Sequence, residues 1–268
     1  MNSPTRTGSD LHYDDLDRRL PWVPDGGPIL FHHGLGSCAM AWAGWDAALA
    51  DRHRLVRFDL RGHGRSGVPE GFAWTLDALV EDLTAVADAA GLDRFHLVGE
   101  SIGGTASMAF AARNPGRVRT LTVSNGAHRG ATIRGMSPWT KVLDEGGSAA
   151  WSTFMMPTRF ADDAVDPRAR QWFEQQQATT NPVAVRALAV MLAGTDLTAE
   201  LGAITMPTLL MHPDSSPYIP VSLMAELYEL LPDARLEVVA GVRHGLPFSH
   251  AAHCSNSLAA FLNDRGGA

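Results

Sequence analysis

Short apolar runs alternate along the chain with longer segments in which apolar residues recur every three or four positions. This alternation predicts an α/β fold, with a mostly parallel twisted sheet flanked by helices. The predicted strands are 28–32, 54–59, 95–99, 118–123, 207–211 and 235–239. The clearest helical pattern between them runs from Leu76 to Ala89, with Leu76, Leu79, Val80, Leu83 and Val86 on one face.

One long stretch, residues 127–203, breaks the alternation because it contains no strand-like run and is rich in Trp, Met and Phe. We predict a helical insertion between two sheet strands, whose apolar residues pack its own core and line the inner face of a lid. The insertion supplies three candidate pocket residues: Trp139, Trp151 and Phe154. The predicted organisation is a core in two parts with this lid between them: 1–126, 127–203 and 204–268.

Charge and composition narrow the possible partners. The 268 residues include 22 basic and 29 acidic ones, a net charge of −7, which disfavours binding to nucleic-acid phosphates. No apolar run reaches the roughly 18 residues of a membrane span, and the polar start has no apolar core of a secretory signal. We therefore predict a cytoplasmic protein without a membrane partner, and no pattern predicts a metal site or a cofactor.

A candidate nucleophile lies in Gly99-Glu100-Ser101-Ile102-Gly103, a G-x-S-x-G sequence. A strand-like run precedes it and a helix of small residues follows. A serine at such a junction adopts a strained turn that projects its hydroxyl above the sheet, at a helix N-terminus that favours developing negative charge. The pattern therefore predicts nucleophilic catalysis by Ser101.

Four motifs in a fixed order now resemble the α/β-hydrolase superfamily over nearly the whole chain. They are the H-G loop His32–Ser37, the D-x-R-G-x-G-x-S turn from Asp59 to Ser66, the elbow Gly99–Gly104, and Arg243-His244-Gly245 after the last strand. Because serine occupies the elbow, the branches of the superfamily that use an aspartate nucleophile are excluded. The resemblance implies that His33 and Asp59 have structural roles.

The resemblance also implies catalytic and binding roles for residues around Ser101. His244 would take the proton of Ser101 and return it to the leaving group. The backbone N–H groups of Leu35 and Ile102 would form the oxyanion hole, and Gly34 in the H-G loop would line the substrate pocket.

The acid that normally orients the histidine is missing from its usual place. Alignment on Ile219-Pro220 puts Ser216 in the slot where the family carries aspartate. Some members of the family carry the acid instead at the end of the strand after the nucleophile helix, and the residue there is Asn125. Three hypotheses remain open: Asp214 reaches His244, Asn125 orients the imidazole, or the acid is unplaced and the chain is catalytically weak. Our prediction is Asp214.

The resemblance is strongest to enzymes of the 3-oxoadipate enol-lactonase type, through the H-G loop and the segment Thr195–Leu201. It implies a serine hydrolase of a small ester or lactone, whose substrate carboxylate would pair with a lid arginine such as Arg129, Arg134 or Arg159. Two alternatives remain: a hydrolase of C–C bonds in β-diketone-like substrates, and a ligand-binding or inactive protein on the same fold.

Overall fold

A computed structural model describes residues 5–6 and 10–265. In this part of the chain eight strands form one sheet, in the order β1-β2-β4-β3-β5-β6-β7-β8. The strands are β1 (Thr5–Arg6), β2 (His12–Leu16), β3 (Ile29–His32), β4 (Leu55–Phe58), β5 (Phe95–Glu100), β6 (Val118–Ser124), β7 (Thr208–Pro213) and β8 (Ala234–Val239). Strands β3 to β8 are parallel, and β2 pairs antiparallel with both β1 and β4. The predicted α/β-hydrolase fold is confirmed, with all six predicted strands present.

Helices cover both faces of the sheet, as a buried parallel sheet requires. They are α1 (Asp46–Leu49), α2 (Leu76–Ala89), α3 (Ile102–Arg113), α4 (Trp139–Arg159), α5 (Pro167–Ala178), α6 (Pro182–Gly194), α7 (Val221–Leu230), α8 (Leu246–Ser249) and α9 (Ala251–Arg265). Apolar side chains of α2, α3 and α7 pack in one core, and those of α1 and α9 pack in a second core. None of the described helices is both long and apolar enough to cross a bilayer.

Helices α4, α5 and α6 lie in the chain between β6 and β7, and residues 127–203 contribute no strand to the described sheet. Helix α4 is interrupted at Gly147, whose φ of 65° lies outside the helical region. The end of α4 is tied to the loop after β8, because the His244 N–H donates to the Thr158 carbonyl (3.2 Å) and the Gly245 N–H to the Arg159 carbonyl (2.9 Å). The helical insertion therefore contacts the same loop that carries His244.

Candidate active site

Ser101 lies in the tight turn between β5 and α3. Its φ of 54° and ψ of −121° are strained for a residue with a side chain, at a cost of about 1–3 kcal/mol. Neighbouring glycines allow the turn to close: a Cβ on Gly99 would lie 2.4 Å from the Gly103 carbonyl oxygen, and one on Gly103 would lie 2.4 Å from that of His32. The surrounding chain thus holds the serine in a conformation that an unconstrained loop would avoid.

The structure brings Ser101 and His244 together across 143 positions of the chain. The His244 Nε2 atom lies 3.1 Å from the Ser101 Oγ atom, within reach for proton transfer. The Tyr218 ring meets the imidazole edge-on, with centroids 4.9 Å apart and an interplanar angle of 85°. The 3.1 Å distance between Ser101 and His244 is within the range that a nucleophile and its general base require.

The surroundings of His244 favour its neutral form. Burial lowers the pKa of His244 well below its ordinary value, and the positive charge of Arg159 and the nearby His212 lower it further. Only a neutral imidazole can accept the serine proton, so the protonation state of His244 at neutral pH is the one that a base needs, and its tautomer decides whether Nε2 is free.

This shift predicts an acid limb of kcat/KM well below pH 6.5. Because the pKa is lowered, His244 stays neutral as the pH falls through 6.5, and activity is lost only as the pH passes the lower pKa of the folded protein. A pH–rate profile, with circular dichroism at each pH to separate inactivation from unfolding, measures this. A limb at or above pH 6.5 in folded protein would contradict it.

The residue beside the other ring nitrogen of His244 is Ser216, whose Oγ lies 3.0 Å from Nδ1. The prediction that Asp214 takes this position is wrong. The Asp214 carboxylate instead accepts hydrogen bonds from the Gly241 N–H (2.8 Å) and the Ser215 hydroxyl (2.7 Å), because its side chain turns outward to the loop after β8. Ser216 thus occupies the slot that the alignment had assigned to it.

The alternative that Asn125 orients the imidazole is also wrong. Asn125 has a positive φ of 53° and is buried directly after β6. Its Nδ2 donates to the backbone carbonyl of His244 (2.7 Å), so Asn125 contacts the main chain of the histidine, not its ring. Asn125 therefore holds the backbone of His244 in place. The contact that can set the tautomer of the imidazole is the one between Ser216 and Nδ1.

Ser216 is a weaker orienting group than a carboxylate would be. Its Oγ atom accepts the N–H groups of Tyr218 (3.4 Å) and Ile219 (3.3 Å), which occupy both lone pairs. The remaining hydroxyl hydrogen then points toward Nδ1, which favours the tautomer protonated at Nε2. The base needs the opposite tautomer, with Nε2 free to accept the serine proton.

The backbone donors expected for an oxyanion hole lie beside Ser101. Ile102 is the first residue of α3, so its N–H has no acceptor within the helix. A Cβ on Gly34 would lie 3.2 Å from the Ser101 Cβ, which places the H-G loop against the nucleophile, and Leu35 lines the cavity above it. The Leu35 N–H donates to no acceptor among the described residues.

His33 and Asp59 hold the loops around the site. The His33 Nε2 accepts the Leu60 N–H (2.9 Å), and burial lowers the pKa of His33 to about 4, which keeps it neutral. The Asp59 carboxylate accepts the N–H groups of Ala39 (2.8 Å) and Arg65 (2.9 Å). These contacts fit the structural roles that the sequence predicts for both residues.

A narrow cavity opens above Ser101 and His244. Its apolar lining residues are Leu35, Ala127, Ile133, Met136, Trp139, Met155, Leu192 and Ile219. The remaining lining residues are Thr105, Tyr218 and Arg159. The space open to the centre of a water molecule is about 20 Å³, room for only one or two waters.

The predicted pocket residues have different positions. Trp139 lines the cavity, and Gly34 lies against Ser101 without lining it. Trp151 is fully buried behind Trp139, with ring centroids 5.9 Å apart. The prediction of Phe154 is wrong, because it lies on another face of α4 from the inward-facing Met155 and is 40% exposed.

Comparisons with known proteins agree with the fold. A family model described as "alpha/beta hydrolase fold" matches residues 27–188. "Putative carbamate hydrolase RutD" of Azorhizobium caulinodans is 32% identical over 237 residues, 85% of this chain and 88% of that protein. 3-Oxoadipate enol-lactonase 1 of Acinetobacter baylyi is 29% identical over 197 residues, 72% and 73% of the two chains. The crystal structure of the enol-lactonase from Burkholderia xenovorans LB400 matches with a TM-score of 0.87 and 24% identity, covering 97% of this chain and 99% of that one.

Proposed function

The chain belongs to the alpha/beta hydrolase family, and from this membership and the site geometry we propose that it is a serine hydrolase of a small carboxylic ester or lactone. The observation that carries the proposal is the contact between the Ser101 hydroxyl and the His244 Nε2 atom, 3.1 Å apart at a strained strand–helix turn. The enol-lactonase relative supports the choice of ester or lactone chemistry.

The first half of the proposed reaction acylates Ser101. The Ser101 oxygen attacks the carbonyl carbon of the substrate while its proton moves to the Nε2 atom of His244. The carbonyl oxygen becomes an oxyanion that accepts the N–H groups of Leu35 and Ile102. When this intermediate collapses, the C–O bond to the alcohol breaks and His244 gives its proton to the leaving oxygen. In a lactone, that alcohol stays attached to the acyl chain.

The second half releases the acid. A water molecule gives a proton to His244 and attacks the acyl carbon, which forms a second oxyanion in the same hole. Collapse of this intermediate breaks the bond to the Ser101 oxygen, which recovers the proton from His244. Serine, histidine and backbone donors return to their starting states, so the cycle needs water as its only other reactant.

We further propose that residues 127–203 act as a lid. Trp139, Met155 and Arg159 of α4 line the cavity, and the cavity in this conformation holds no more than one or two waters. A substrate therefore requires side chains over Ser101 to move. Met136 and Met155 can adapt in this way, because a methionine side chain is unbranched and changes rotamer easily.

The proposal predicts both covalent labelling and turnover. Treatment with a fluorophosphonate should add one phosphonyl group to the peptide that carries Ser101, located by mass spectrometry. Mixing with p-nitrophenyl acetate should release p-nitrophenol in steady turnover, preceded by a burst when deacylation is slower than acylation and the acyl-enzyme accumulates.

Two results would contradict this proposal. An adduct on a different peptide would remove Ser101 as the nucleophile. Labelling of Ser101 without turnover of any ester would favour the ligand-binding alternative. That alternative is worth testing because, among the described residues, Ser216 and not a carboxylate lies beside the His244 Nδ1 atom. Heat-unfolded protein is the control for non-specific labelling, because it has the same serines without the site.

A further inference from the structure

Arg159, at the end of α4, is the one of the three lid arginines that belongs to the described cavity lining. Arg129 forms an ion pair with Glu226 (2.6 Å), and Arg134 is exposed. Arg159 is only 2% exposed although it carries a charge. A cation buried this deeply needs hydrogen bonds to stay in place, and its partners show what it holds in return.

One of those partners is the backbone of the loop that faces the nucleophile. The Arg159 Nη2 donates to the Leu35 carbonyl, and the Nε donates to the Oε1 atom of Gln177 in α5 (3.1 Å). The Gln177 Nε2 in turn donates to the Ser152 carbonyl of α4 (3.1 Å). Because Gln177 and Ser152 are also fully buried, this chain of hydrogen bonds runs from the insertion to Leu35 without exposure to water.

The residue before Leu35 is held from the core of the sheet. The Gly34 N–H donates to the Oε2 atom of Glu100 at the end of β5 (3.3 Å), and the Gly34 carbonyl lies 2.8 Å from the His33 Nδ1 atom. The charge of Glu100 raises the pKa of Arg159 against the effect of burial, so this carboxylate also supports the cationic form of the guanidinium. Glu100 and Arg159 therefore hold the backbone of two successive residues.

The residue after Leu35 also lies against the insertion. A Cβ on Gly36 would lie 2.7 Å from the Trp151 ring and 2.9 Å from the Gln177 Oε1 atom. The Gly36 N–H donates to the His63 Nε2 atom (3.0 Å). Helices α4 and α5 thus pack directly on the loop that carries the Leu35 N–H.

These contacts matter because Leu35 lies between two glycines. Glycine has the widest backbone freedom of any residue, so the peptide planes on both sides of Leu35 need outside contacts to fix their direction. A donor of an oxyanion hole has to lie about 2.7–3.1 Å from the developing oxyanion, so a small rotation of the Leu35 N–H would weaken it. Among the described residues this N–H has no acceptor, so its direction is set by the contacts of its neighbours.

We propose that Arg159 is a positioning residue for the oxyanion hole, and that the insertion directs the Leu35 N–H toward the oxyanion through the bond from Arg159 to the Leu35 carbonyl. The hole is then complete only when the end of α4 lies over Ser101, which links the position of the lid to catalysis. This inference rests on the proposed hydrolase function. Arg159 acts here through Leu35, so the role does not require a charged substrate.

The test uses a neutral ester, p-nitrophenyl acetate, because its hydrolysis cannot depend on a substrate carboxylate. Single-turnover reactions with enzyme in excess give the acylation rate constant and the dissociation constant of the ester separately, since release of p-nitrophenol is the acylation step. Rates are measured on the pH plateau of each variant, because the charge of Arg159 also lowers the pKa of His244.

Arg159→Met should lower the acylation rate constant by ~10- to 100-fold, since a misdirected donor loses part of the about 10²- to 10³-fold that one oxyanion-hole donor contributes. The dissociation constant of the ester should change by less than ~3-fold, because the oxyanion forms only after binding. Arg168→Met is the matched control, since it removes the same charge from an exposed position of α5, and its rate should match the wild type.

Gln177→Met separates the position of Arg159 from its charge. This variant removes the acceptor of the Arg159 Nε and leaves the guanidinium in place. We expect a loss of ~2- to 10-fold in the acylation rate constant, the range of one neutral hydrogen bond.

Inhibition by 1,1,1-trifluoroacetone gives a second readout. The Ser101 oxygen adds to the carbonyl carbon of this ketone, the serine proton moves to the His244 Nε2 atom, and the carbonyl oxygen becomes an oxyanion in the same hole. Across the wild type, Gln177→Met and Arg159→Met, the inhibition constant should rise by about the factor by which acylation slows, because both report binding of an oxyanion. A smaller fraction of active protein would not change the inhibition constant.

The inference is overturned if folded Arg159→Met keeps the wild-type acylation rate, if its loss lies only in the dissociation constant of the ester, or if acylation slows with an unchanged inhibition constant. An equal loss in Arg168→Met would also overturn it. If Arg159→Met does not fold, Gln177→Met decides, and a wild-type rate and inhibition constant in that variant would overturn the inference. Failure of the hydrolase proposal looks different: the wild type itself releases no p-nitrophenol and Ser101 is not labelled.

Discussion

Ser101→Ala should lower kcat for ester hydrolysis by between ~10² and ~10⁶-fold, with little change in KM. In an enzyme with a complete Ser-His-Asp triad, losing the serine costs about 10⁶ in kcat and losing the acid alone costs about 10⁴. In an enzyme whose third residue contributes nothing to catalysis, kcat is already lower by about 10⁴, so removal of the serine should lower it by only about a further 10². The measured loss therefore shows how well Ser216 replaces the acid at the His244 ring.

The matched control for this experiment is Ser124→Ala. Ser124 is buried at the end of β6, and its hydroxyl has no hydrogen-bond partner in the described part of the chain. Its backbone carbonyl accepts the Ser101 N–H (2.9 Å), a contact that alanine keeps. Single-turnover and steady-state kinetics should show near wild-type activity for the control, and undiminished activity in Ser101→Ala would exclude Ser101 as the nucleophile.

The sequence predicted six of the eight described strands because each of the six is a short run with several apolar residues. Five of them are buried between two helical layers, and β8 at the edge of the sheet is only partly buried. Strand β2 escaped prediction because it is polar and pairs antiparallel beside β4. Two of its aspartates are used in ion pairs, Asp14 with Arg65 (3.0 Å) and Asp15 with Arg54 (2.6 Å). With Tyr13 and Leu16 as its apolar residues, the strand has too few of them for an apolar pattern to be recognised.

The site was predictable only where a local motif fixes the geometry. Ser101 follows from its strand–helix turn, and the position of His244 follows from its place after the last strand. The sequence did not predict which residue of the loop after β7 contacts the His244 ring, because tertiary contacts decide which side chains of that loop face inward. Asp214 is turned outward by the Gly241 N–H, a contact 27 positions away.

The lid residues show the same limit. Trp151, Met155 and Arg159 are spaced four positions apart and share the buried face of α4, whereas Phe154 lies off that face and is exposed. That spacing was the available signal, and it would have favoured Arg159 over the other two arginines. It could not show what Arg159 contacts, since its partners Gln177 and Leu35 belong to other segments of the chain.

Ser216→Asp should raise kcat by about 10- to 10⁴-fold, the upper limit being the cost of losing the acid in a complete triad. A carboxylate has about four lone-pair sites, so it can accept the Tyr218 and Ile219 N–H groups together with a proton on the His244 Nδ1 atom. It would therefore hold the tautomer in which Nε2 is free, and its charge would stabilise the imidazolium. Both effects are absent with a hydroxyl at this position.

The pH profile of Ser216→Asp tests the electrostatic part separately. A negative charge beside His244 raises its pKa, so the acid limb of kcat/KM should move to higher pH while the rate above it increases. Ser216→Asn is the matched control, because asparagine has nearly the same size as aspartate and no charge. It should leave the acid limb of kcat/KM near its wild-type pH. A folded Ser216→Asp variant with unchanged kcat and an unchanged limb would contradict the prediction. That result would mean that the His244 ring is already held in its working tautomer by the hydroxyl, and that the rate is set by a step other than proton transfer.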